Sequence, residues 1–205
     1  MRTLVPFDAS SPKTRLDPLL DADERREFAA LMLSDVLSTL ESTSAEPTVI
    51  ATAPVECGVR VEVDDRSLTE AVNARLGPEP TAVVMADLAL ATPRSIERLF
   101  APDAGVTLVP GRGGGTNALV ARDPAFRVDY HGASFRDHRD IAESVGISVA
   151  TVDSFRLSTD VDEPADLVEV LLHAPDGAAG SWLAERGFEV AVEGHDERVV
   201  ARRCS

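Results

Sequence analysis

The sequence predicts an α/β protein, a three-layer sandwich in which helices cover both faces of a mostly parallel central sheet. Two patterns support this prediction. Short runs of β-branched and apolar residues alternate with longer segments of helical periodicity along almost the whole chain. One of the short runs, residues 81–87 (TAVVMAD), is apolar at nearly every position, which is typical of a strand buried on both faces of a parallel sheet.

Each element follows in chain order from its residue pattern. The strand segments, rich in β-branched and apolar residues, lie at residues 3–7, 48–52, 59–63, 81–87, 105–110, 117–122 and 148–153. The helical segments repeat apolar residues about every 3.6 positions and lie at residues 21–40, 67–76, 92–100, 134–146 and 163–172. Ser67 is expected to cap the second helix, and Thr92 to cap the third, with Pro93 as its first residue.

The end of the chain predicts a separate small unit within a single domain of residues 1–205. Residues 1–173 form the predicted core. Residues 178–203 form a helix and a terminal hairpin, whose turn falls in the sequence GHDE at residues 194–197. A chain of 205 residues is long enough to bury one substantial core without division into two domains.

The charge balance excludes one class of partner. The chain has 35 acidic and 20 basic residues, a formal charge of −15, so it lacks the basic face that nucleic-acid binding requires. Nineteen of the basic residues are arginine, and Lys13 is the only lysine. Either adaptation to high salt or a GC-rich genome accounts for this composition. Lys13 stands out in both cases, because whatever removed the other lysines spared this one.

The chain is expected to act in the cytoplasm, away from membranes. It opens with MRTLVPFDASS, which lacks the apolar stretch of a signal peptide, and its apolar runs are too short to span a bilayer. Cys57 and Cys204 lie far apart in the sequence, so neither a disulfide framework nor a zinc site is expected.

An acidic segment just before the last core helix is a candidate cation site. We expect Glu163 to cap this helix and Asp166 to lie in its first turn, where negative charge interacts well with the helix dipole. Asp160 and Asp162 precede the helix, and in an extended segment both would point to the same side. Two neighbouring carboxylates repel each other unless a cation or a proton lies between them, and Mg²⁺ suits such a pair.

Three further features are candidates for the same site. Asp87 ends a buried strand at the edge where open α/β sheets collect ligands, although it is equally consistent with a cap on the following turn. The loop GRGGGT at residues 111–116 would turn backbone N–H groups toward an anion, or would serve as a simple hairpin loop. Lys13 and Arg15, in the loop after the first strand, suit a polyphosphate.

Nucleophilic catalysis finds no support in the sequence. Ser134 lies in GASF, which is not the GxSxG elbow of hydrolases, and the histidines lack metal-ligand spacing. His138, on an amphipathic helix, is expected to be a surface or packing residue.

Six motifs in chain order resemble those of the 2-phospho-L-lactate guanylyltransferases. They read VPF…SPKTRL, ERREFAALMLSDVL, MADLAL, GRGGGTNAL, YHGASF and STDVDEPADL. The resemblance implies a nucleotide-diphospho-sugar transferase (glycosyltransferase-A-like) fold and a halophilic archaeal member. It also implies an enzyme that condenses GTP with (2S)-2-phospholactate to lactyl-2-diphospho-5′-guanosine and pyrophosphate, in coenzyme F(420) biosynthesis, and that forms a homodimer.

The resemblance also implies roles for particular residues. Asp87, Asp160 and Asp162 would hold Mg²⁺. Lys13 and Arg15 would bind the nucleotide and join Asp87 as catalytic residues. The small phosphorylated acid would be bound by Gly114, Gly115, Thr116, Gly132 and Ser134.

Several alternatives stay open at this point. The chain is also consistent with a nucleotidyltransferase for phosphoenolpyruvate, 3-phosphoglycerate or a sugar phosphate, and with a non-catalytic α/β binding module. A metal-dependent phosphate-ester hydrolase is the least favoured, because no histidine is placed to activate water.

Overall fold

A central sheet of seven strands organises the protein. The computed structural model describes residues 1–194 and 198–204. The strands of the sheet are, in chain order, β1 (Arg2–Phe7), β2 (Glu46–Ala51), β3 (Arg60–Val63), β4 (Thr81–Val84), β5 (Val106–Pro110), β6 (Thr116–Ala121) and β7 (Val149–Thr151). Their order across the sheet is β3-β2-β1-β4-β6-β5-β7.

The sheet is parallel except for β6, so the prediction of a mostly parallel sheet is confirmed. Strand β6 runs antiparallel to both of its neighbours, β4 and β5. The reason is local. Only residues 111–115 separate β5 from β6, which is enough for a hairpin but far too short for the crossover that a parallel pair needs.

Helices cover both faces of the sheet. The helices are α1 (Ala22–Glu41), α2 (Leu68–Asn73), α3 (Pro93–Phe100), α4 (Ser134–Ser144), α5 (Phe155–Ser158), α6 (Asp166–His173) and α7 (Ala178–Glu185). Helices α1, α3 and α5 bury apolar residues against one face of the sheet, and α2 and α4 against the other. Successive strand residues therefore serve opposite cores: Leu4 lies in one and Val5 in the other. This is the predicted three-layer sandwich.

The C-terminal unit packs on the outer side of α1. It consists of α7 and an antiparallel hairpin of β8 (Phe188–Glu193) and β9 (Arg198–Arg203), and α6 of the predicted core packs beside it. Phe28 and Met32 of α1 share a buried cluster with Trp182 and Leu183 of α7. The predicted helix and hairpin are thus present, while residues 195–197 of the predicted turn lie outside the described part of the chain. In that described part, no helix is both long and apolar enough to cross a membrane.

Most predicted helix starts agree with the structure, and one is wrong. Ser67 and Thr92 cap α2 and α3, each by accepting a backbone hydrogen bond three residues on. Glu163, however, does not cap α6, which begins at Asp166. The Asp166 carboxylate instead accepts hydrogen bonds from the backbone N–H groups of Asp162 and Glu163, at 3.0 and 2.8 Å. Asp166 therefore stabilises the segment before the helix, a role that the sequence pattern did not predict.

One side chain of α1 provides the N-terminal cap of α7. The Asp35 carboxylate accepts hydrogen bonds from the backbone N–H groups of Ala178 and Ala179, at 2.6 and 2.9 Å. These donors have no acceptor within their own helix, because they lie in its first turn. Asp35 thereby links the C-terminal unit to the core domain by charge-assisted hydrogen bonds.

We predict that Asp35→Ala lowers the free energy of unfolding by roughly 1–3 kcal/mol, because it leaves two helix donors without an acceptor. Urea denaturation followed by circular dichroism measures this change. Ser34→Ala, at the exposed neighbouring position, is the matched control and should be close to neutral. Equal stability of the two variants would contradict the capping role.

Candidate active site

The carboxyl ends of β1 and β4 define the position of the site. These strands are parallel neighbours, so the loops that follow them emerge at the same edge of the sheet. The loop after β1 carries Lys13, and the turn after β4 carries Asp87. The extended segment before α6 carries Asp162, and the backbone N–H of Val161 donates to the Asp87 carbonyl at 3.3 Å. Three segments distant in sequence therefore meet at one point.

A lysine and two aspartates form the centre of the site. The Lys13 ammonium donates to Asp87 Oδ2 and to Asp162 Oδ1, each at 2.7 Å. The Lys13 side chain is only 10% exposed, against 24% for Asp87 and 32% for Asp162. Burial lowers the pKa of Lys13, but the charges of Asp87 and then Asp162 outweigh this and hold its pKa above the ordinary value. This environment therefore favours the charged form of the lysine.

The backbone at Lys13 adopts an unusual conformation. Its φ and ψ of 55° and 41° lie in the left-handed region, and among the described residues no other non-glycine residue has a positive φ. Such a conformation costs free energy for a residue with a side chain and is often found at functional sites. A short 3-10 helix, Thr14–Leu16, follows directly, and its Leu16 is fully buried. The loop thus turns sharply at Lys13 to direct its side chain inward.

The two aspartates predicted as a pair point to the same side but have different partners. Thr159 and Val161 are fully buried, while Asp160 and Asp162 are partly exposed, which confirms the alternation expected of an extended segment. The Asp160 carboxylate accepts from the side-chain amide of Asn117 at 3.1 Å, whereas Asp162 meets Lys13. Among residues 1–194 and 198–204, no three histidine, cysteine, aspartate or glutamate side chains are grouped to hold a metal. The predicted grouping of Asp87, Asp160 and Asp162 is therefore replaced by a pair of carboxylates around Lys13.

Asp87 retains an unused acceptor that would suit a second cation. Its Oδ1 atom is buried and has no hydrogen-bond partner, although Oδ2 binds Lys13. A buried carboxylate oxygen without a partner costs free energy unless a ligand supplies the missing charge or hydrogen bond. Asp162 lies across the same lysine and offers a second carboxylate. This donor set fits a divalent cation that takes one or two carboxylates and leaves its other positions to water or phosphate.

Arg15 extends the positive charge toward solvent. Its guanidinium is 3.2 Å from Glu163 Oε1 and 3.7 Å from Asp162 Oδ2. The side chain is 65% exposed, so these ion pairs contribute little stability and leave the group free to meet a ligand. Lys13 and Arg15 thus lie on the same loop as predicted, but only Lys13 is buried within the carboxylate pair.

Two neighbouring cavities open at this centre. The first, of about 240 Å³, is lined by Lys13, Asp87 and Asp162 together with Phe7 and Met85. The second, of about 250 Å³, is lined by Arg15, Arg112, Gly113, Asp160, Asp162, Glu163 and Asp166. Asp162 borders both cavities. The two cavities therefore meet at a carboxylate, beside which an anionic ligand would need a cation.

The glycine-rich loop is the hairpin between β5 and β6. Gly111 and Gly115 close it by a backbone hydrogen bond of 2.8 Å, and Gly114 adopts a φ of 88°, which favours glycine. A Cβ atom at Gly111 would lie 2.2 Å from the Asn117 side chain. Glycine is needed there because it lets Asn117 reach Asp160. The loop is a hairpin turn, as the hairpin interpretation predicts. Its Gly113 also borders the second cavity, as a ligand-binding loop requires.

A buried network of polar side chains packs against the end of the glycine-rich loop. The Thr116 backbone N–H donates to Ser134 Oγ at 3.0 Å, and the Thr116 hydroxyl is 2.9 Å from His138 Nδ1. All three side chains are at least 96% buried. Gly132, by contrast, is exposed and takes a φ of 46°. The predicted residues Thr116 and Ser134 are therefore brought together beneath the loop, while Gly132 lies outside this buried network.

His138 is a specific member of this network, more than the surface or packing residue that the sequence suggested. Its Nε2 accepts from the backbone N–H of Asp129 at 2.9 Å, so the ring carries its proton on Nδ1 and donates to Thr116. Burial lowers the pKa of His138 to about 4, which keeps the ring neutral near neutral pH. A lone histidine in an amphipathic pattern gives no signal of such a role.

Comparison with known proteins identifies the fold. The structure superposes on that of a Desulfovibrio desulfuricans G20 protein assigned to the nucleotide-diphospho-sugar transferases, with a TM-score of 0.72, 14% identity, and coverage of 90% of this chain and 94% of that one. At this identity the likeness shows the fold alone, and it confirms the predicted fold class. The fold is that of the nucleotide-diphospho-sugar transferases, and the class of protein follows from the family and its closer relatives.

The family to which the chain belongs is shown by a family model and by close relatives. A family model described as "Guanylyl transferase CofC like" matches residues 1–203, and the chain belongs to that family. A 2-phospho-L-lactate guanylyltransferase of Halomicrobium mukohataei is 59% identical over 94% of this chain and 95% of its own length. Another, of Haloarcula marismortui, is 58% identical over 95% of this chain and 96% of its own. Both organisms are halophilic archaea, in agreement with the resemblance noted in the sequence.

The buried His138 generates a pH prediction. Its pKa is lower in the folded chain than in the unfolded one, so its contribution to stability is present above pH 6.5 and is lost as the pH falls to about 4. Between pH 6.5 and about 4, the free energy of unfolding of His138→Gln should therefore fall less than that of the wild type. The difference should reach up to roughly 3 kcal/mol. Urea denaturation at pH 7, 6, 5 and 4 measures the difference. His173→Gln, at an exposed position away from this network, should keep the wild-type slope, and a wild-type slope for His138→Gln would contradict this origin.

Proposed function

We propose that this chain is a guanylyltransferase that joins GTP to (2S)-2-phospholactate, as a step toward coenzyme F(420). The observation that carries the proposal is the Lys13 ammonium held between Asp87 and Asp162 at the carboxyl edge of the sheet. Lys13 lines the first cavity and Asp162 borders both the first and the second, which we assign to the nucleotide phosphates and the small acid. High identity to relatives named for this activity, over nearly their whole length, supports the choice of substrates.

The reaction requires little acid–base chemistry from the protein. A phosphate oxygen of 2-phospholactate forms a bond to the α-phosphorus of GTP, while the bond from that phosphorus to the bridging β-phosphate oxygen breaks. Pyrophosphate leaves, and lactyl-2-diphospho-5′-guanosine remains. Because the attacking phosphate is already anionic, catalysis consists of in-line positioning and neutralisation of charge.

Lys13 is suited to the charge that develops on the leaving pyrophosphate. An ammonium has three N–H donors, and two of those of Lys13 bind Asp87 and Asp162. The third donor is available for a phosphate oxygen in the first cavity. Arg15 is more exposed and would interact with the outer phosphates, through the planar fork that suits them.

A divalent metal such as Mg²⁺ belongs to this proposal. Asp87, with its unpartnered Oδ1, and Asp162 would hold it, and Asp160 borders the neighbouring cavity. When bound, the metal would neutralise phosphate charge during the displacement. Lys13 would supply a second positive charge to the phosphates beside the two carboxylates.

The small acid is assigned to the second cavity, beside the glycine-rich loop. Arg15, Arg112 and Gly113 border that cavity and would bind anionic groups of the acid, while the four carboxylates in the same lining (Asp160, Asp162, Glu163 and Asp166) would need a bound cation to offset their charge. Gly114 and Gly115 shape the loop, and Thr116 and Ser134 hold it from below. Direct contact of Thr116, Gly132 and Ser134 with the acid remains a prediction from the family resemblance, as do the homodimer and the cytoplasmic location.

The central test mixes the purified protein with Mg²⁺, GTP and 2-phospholactate and measures pyrophosphate release. Phosphoenolpyruvate, 3-phosphoglycerate and glucose 1-phosphate serve as parallel acceptors. We expect the highest kcat/KM with 2-phospholactate. A higher kcat/KM with another acceptor would identify that compound as the substrate. No pyrophosphate release with any of them would favour a non-catalytic binding module.

Asp162→Asn should abolish turnover while preserving the fold, because the amide keeps the shape and the acceptor for Lys13 but removes the charge that a metal requires. Pyrophosphate release and the thermal midpoint are measured together. Asp153→Asn, an exposed substitution of the same kind, is the control and should retain wild-type activity. Wild-type turnover by Asp162→Asn would refute the assigned role.

Lys13→Ala should weaken the use of GTP more than the binding of the small acid, since Lys13 lines the nucleotide cavity. We expect a rise in KM for GTP and a lower kcat, with a smaller change in KM for 2-phospholactate. Lys13→Met keeps the apolar stem and should show the same kinetic pattern, which separates charge from packing. Equal losses for both substrates would argue against this role.

A further inference from the structure

A third cavity lies beside the first and has a different character. It has a volume of about 240 Å³ and shares Phe7 and Met85, among other residues, with the cavity that contains Lys13. Its other apolar lining residues are Pro6, Ile50, Leu68, Ala71 and Val72. A flat apolar ring that is continuous with a phosphate-binding centre fits such a space. Under the proposed function, this is where the base of the nucleotide would lie.

The polar lining of this cavity consists of Asp8, Thr52, Asp64 and Arg66, and Arg66 is its one cationic donor. Arg66 donates from Nε to Asp64 Oδ1 at 2.9 Å and from Nη2 to Asp64 Oδ2 at 2.7 Å, a two-point pairing that fixes the plane of the group. A guanidinium has five N–H donors, so three remain after these two bonds. The side chain is 50% exposed, which leaves those donors accessible to a ligand in the cavity.

Asp64 itself has no spare acceptor capacity. Besides Arg66 Nε and Nη2, it accepts from the Arg66 backbone N–H at 3.2 Å and from Arg75 Nη1 at 2.6 Å. Its side chain is 6% exposed, and Arg66, followed by Arg75, holds its pKa below the ordinary value. Since these four bonds occupy the carboxylate, Asp64 orients Arg66 and does not itself hydrogen-bond to the ligand.

We propose that Arg66 selects guanine over adenine by donating hydrogen bonds to the O6 and N7 acceptors of the base. Guanine presents two neighbouring acceptors on this edge, whereas adenine presents N7 beside an amino donor. A guanidinium can only donate, so it matches the first pattern and opposes the second. This inference rests on the proposed use of GTP and adds the residue responsible for the choice of base.

The test compares nucleotides that differ at these atoms. ITP keeps O6 and N7 but lacks the 2-amino group, while 2-aminopurine riboside triphosphate keeps the amino group but lacks O6. With Mg²⁺ present, we expect the wild type to bind GTP and ITP within a few-fold of each other. It should bind ATP and the 2-aminopurine nucleotide roughly tenfold to a hundredfold more weakly. Equilibrium dialysis or calorimetry measures this without any acceptor substrate.

Arg66→Gln should reduce the affinities for GTP and ITP nearly to that for ATP, and raise the KM for GTP with little change in kcat or in the KM for 2-phospholactate. Arg66→Lys keeps the charge but loses the planar fork, so it should also lose most of the discrimination. Arg94→Gln, an exposed arginine beside a separate cavity, is the control and should bind as the wild type does. Asp64 retains Arg75 in both Arg66 variants, and thermal unfolding checks the fold.

Retained preference for GTP over ATP in Arg66→Gln would overturn this inference, as would ITP binding as weakly as ATP in the wild type. The outcome is separable from that of the proposed function. Loss of base discrimination on substitution of Arg66 supports the inference even if 2-phospholactate proves not to be the acceptor. If pyrophosphate is released but the Arg66 variants discriminate between bases as the wild type does, the proposed reaction holds. Only the role of Arg66 in base selection is then refuted.

Discussion

The ion pairs of Lys13 with Asp87 and Asp162 are the interaction on which the site depends. They join three segments that are 74 and 149 residues apart in the chain. Without the ammonium, two partly exposed carboxylates would face each other across the carboxyl edge of the sheet, at an electrostatic cost. The left-handed turn at Lys13 and the Val161–Asp87 backbone hydrogen bond are consequences of the same requirement, since each brings one partner to the shared point.

The architecture could be predicted because it follows from local patterns. An almost wholly apolar run predicted β4, with both faces buried, and alternation of elements predicted a parallel sheet. That sheet in turn placed Lys13 and Asp87 at one edge, because parallel neighbours end together. The short α5 and the true start of α6 escaped prediction. Asp166 bonds backward to the chain before the helix, and such a choice depends on tertiary context.

The partners of individual side chains could not be predicted in the same way. Periodicity correctly placed Asp160 and Asp162 on one side of their segment, but it carries no information on what lies opposite, which is Asn117 for one and Lys13 for the other. His138 resembles any residue of an amphipathic helix until Thr116 and Asp129 are seen on either side of it. Arg66, two residues after Asp64, looks in the sequence like one half of an ordinary surface ion pair. Only the adjoining cavity shows that it is placed to contact a ligand.

The scarcity of lysine has a consequence for the chemical reactivity of the whole molecule. Reagents and metabolites that acylate primary amines find one side chain of this kind in the sequence, that of Lys13. Acylation requires the neutral amine, and the two carboxylates that bind Lys13 favour its protonated form. The single acylable side chain is therefore also the one whose reactivity its ion pairs suppress.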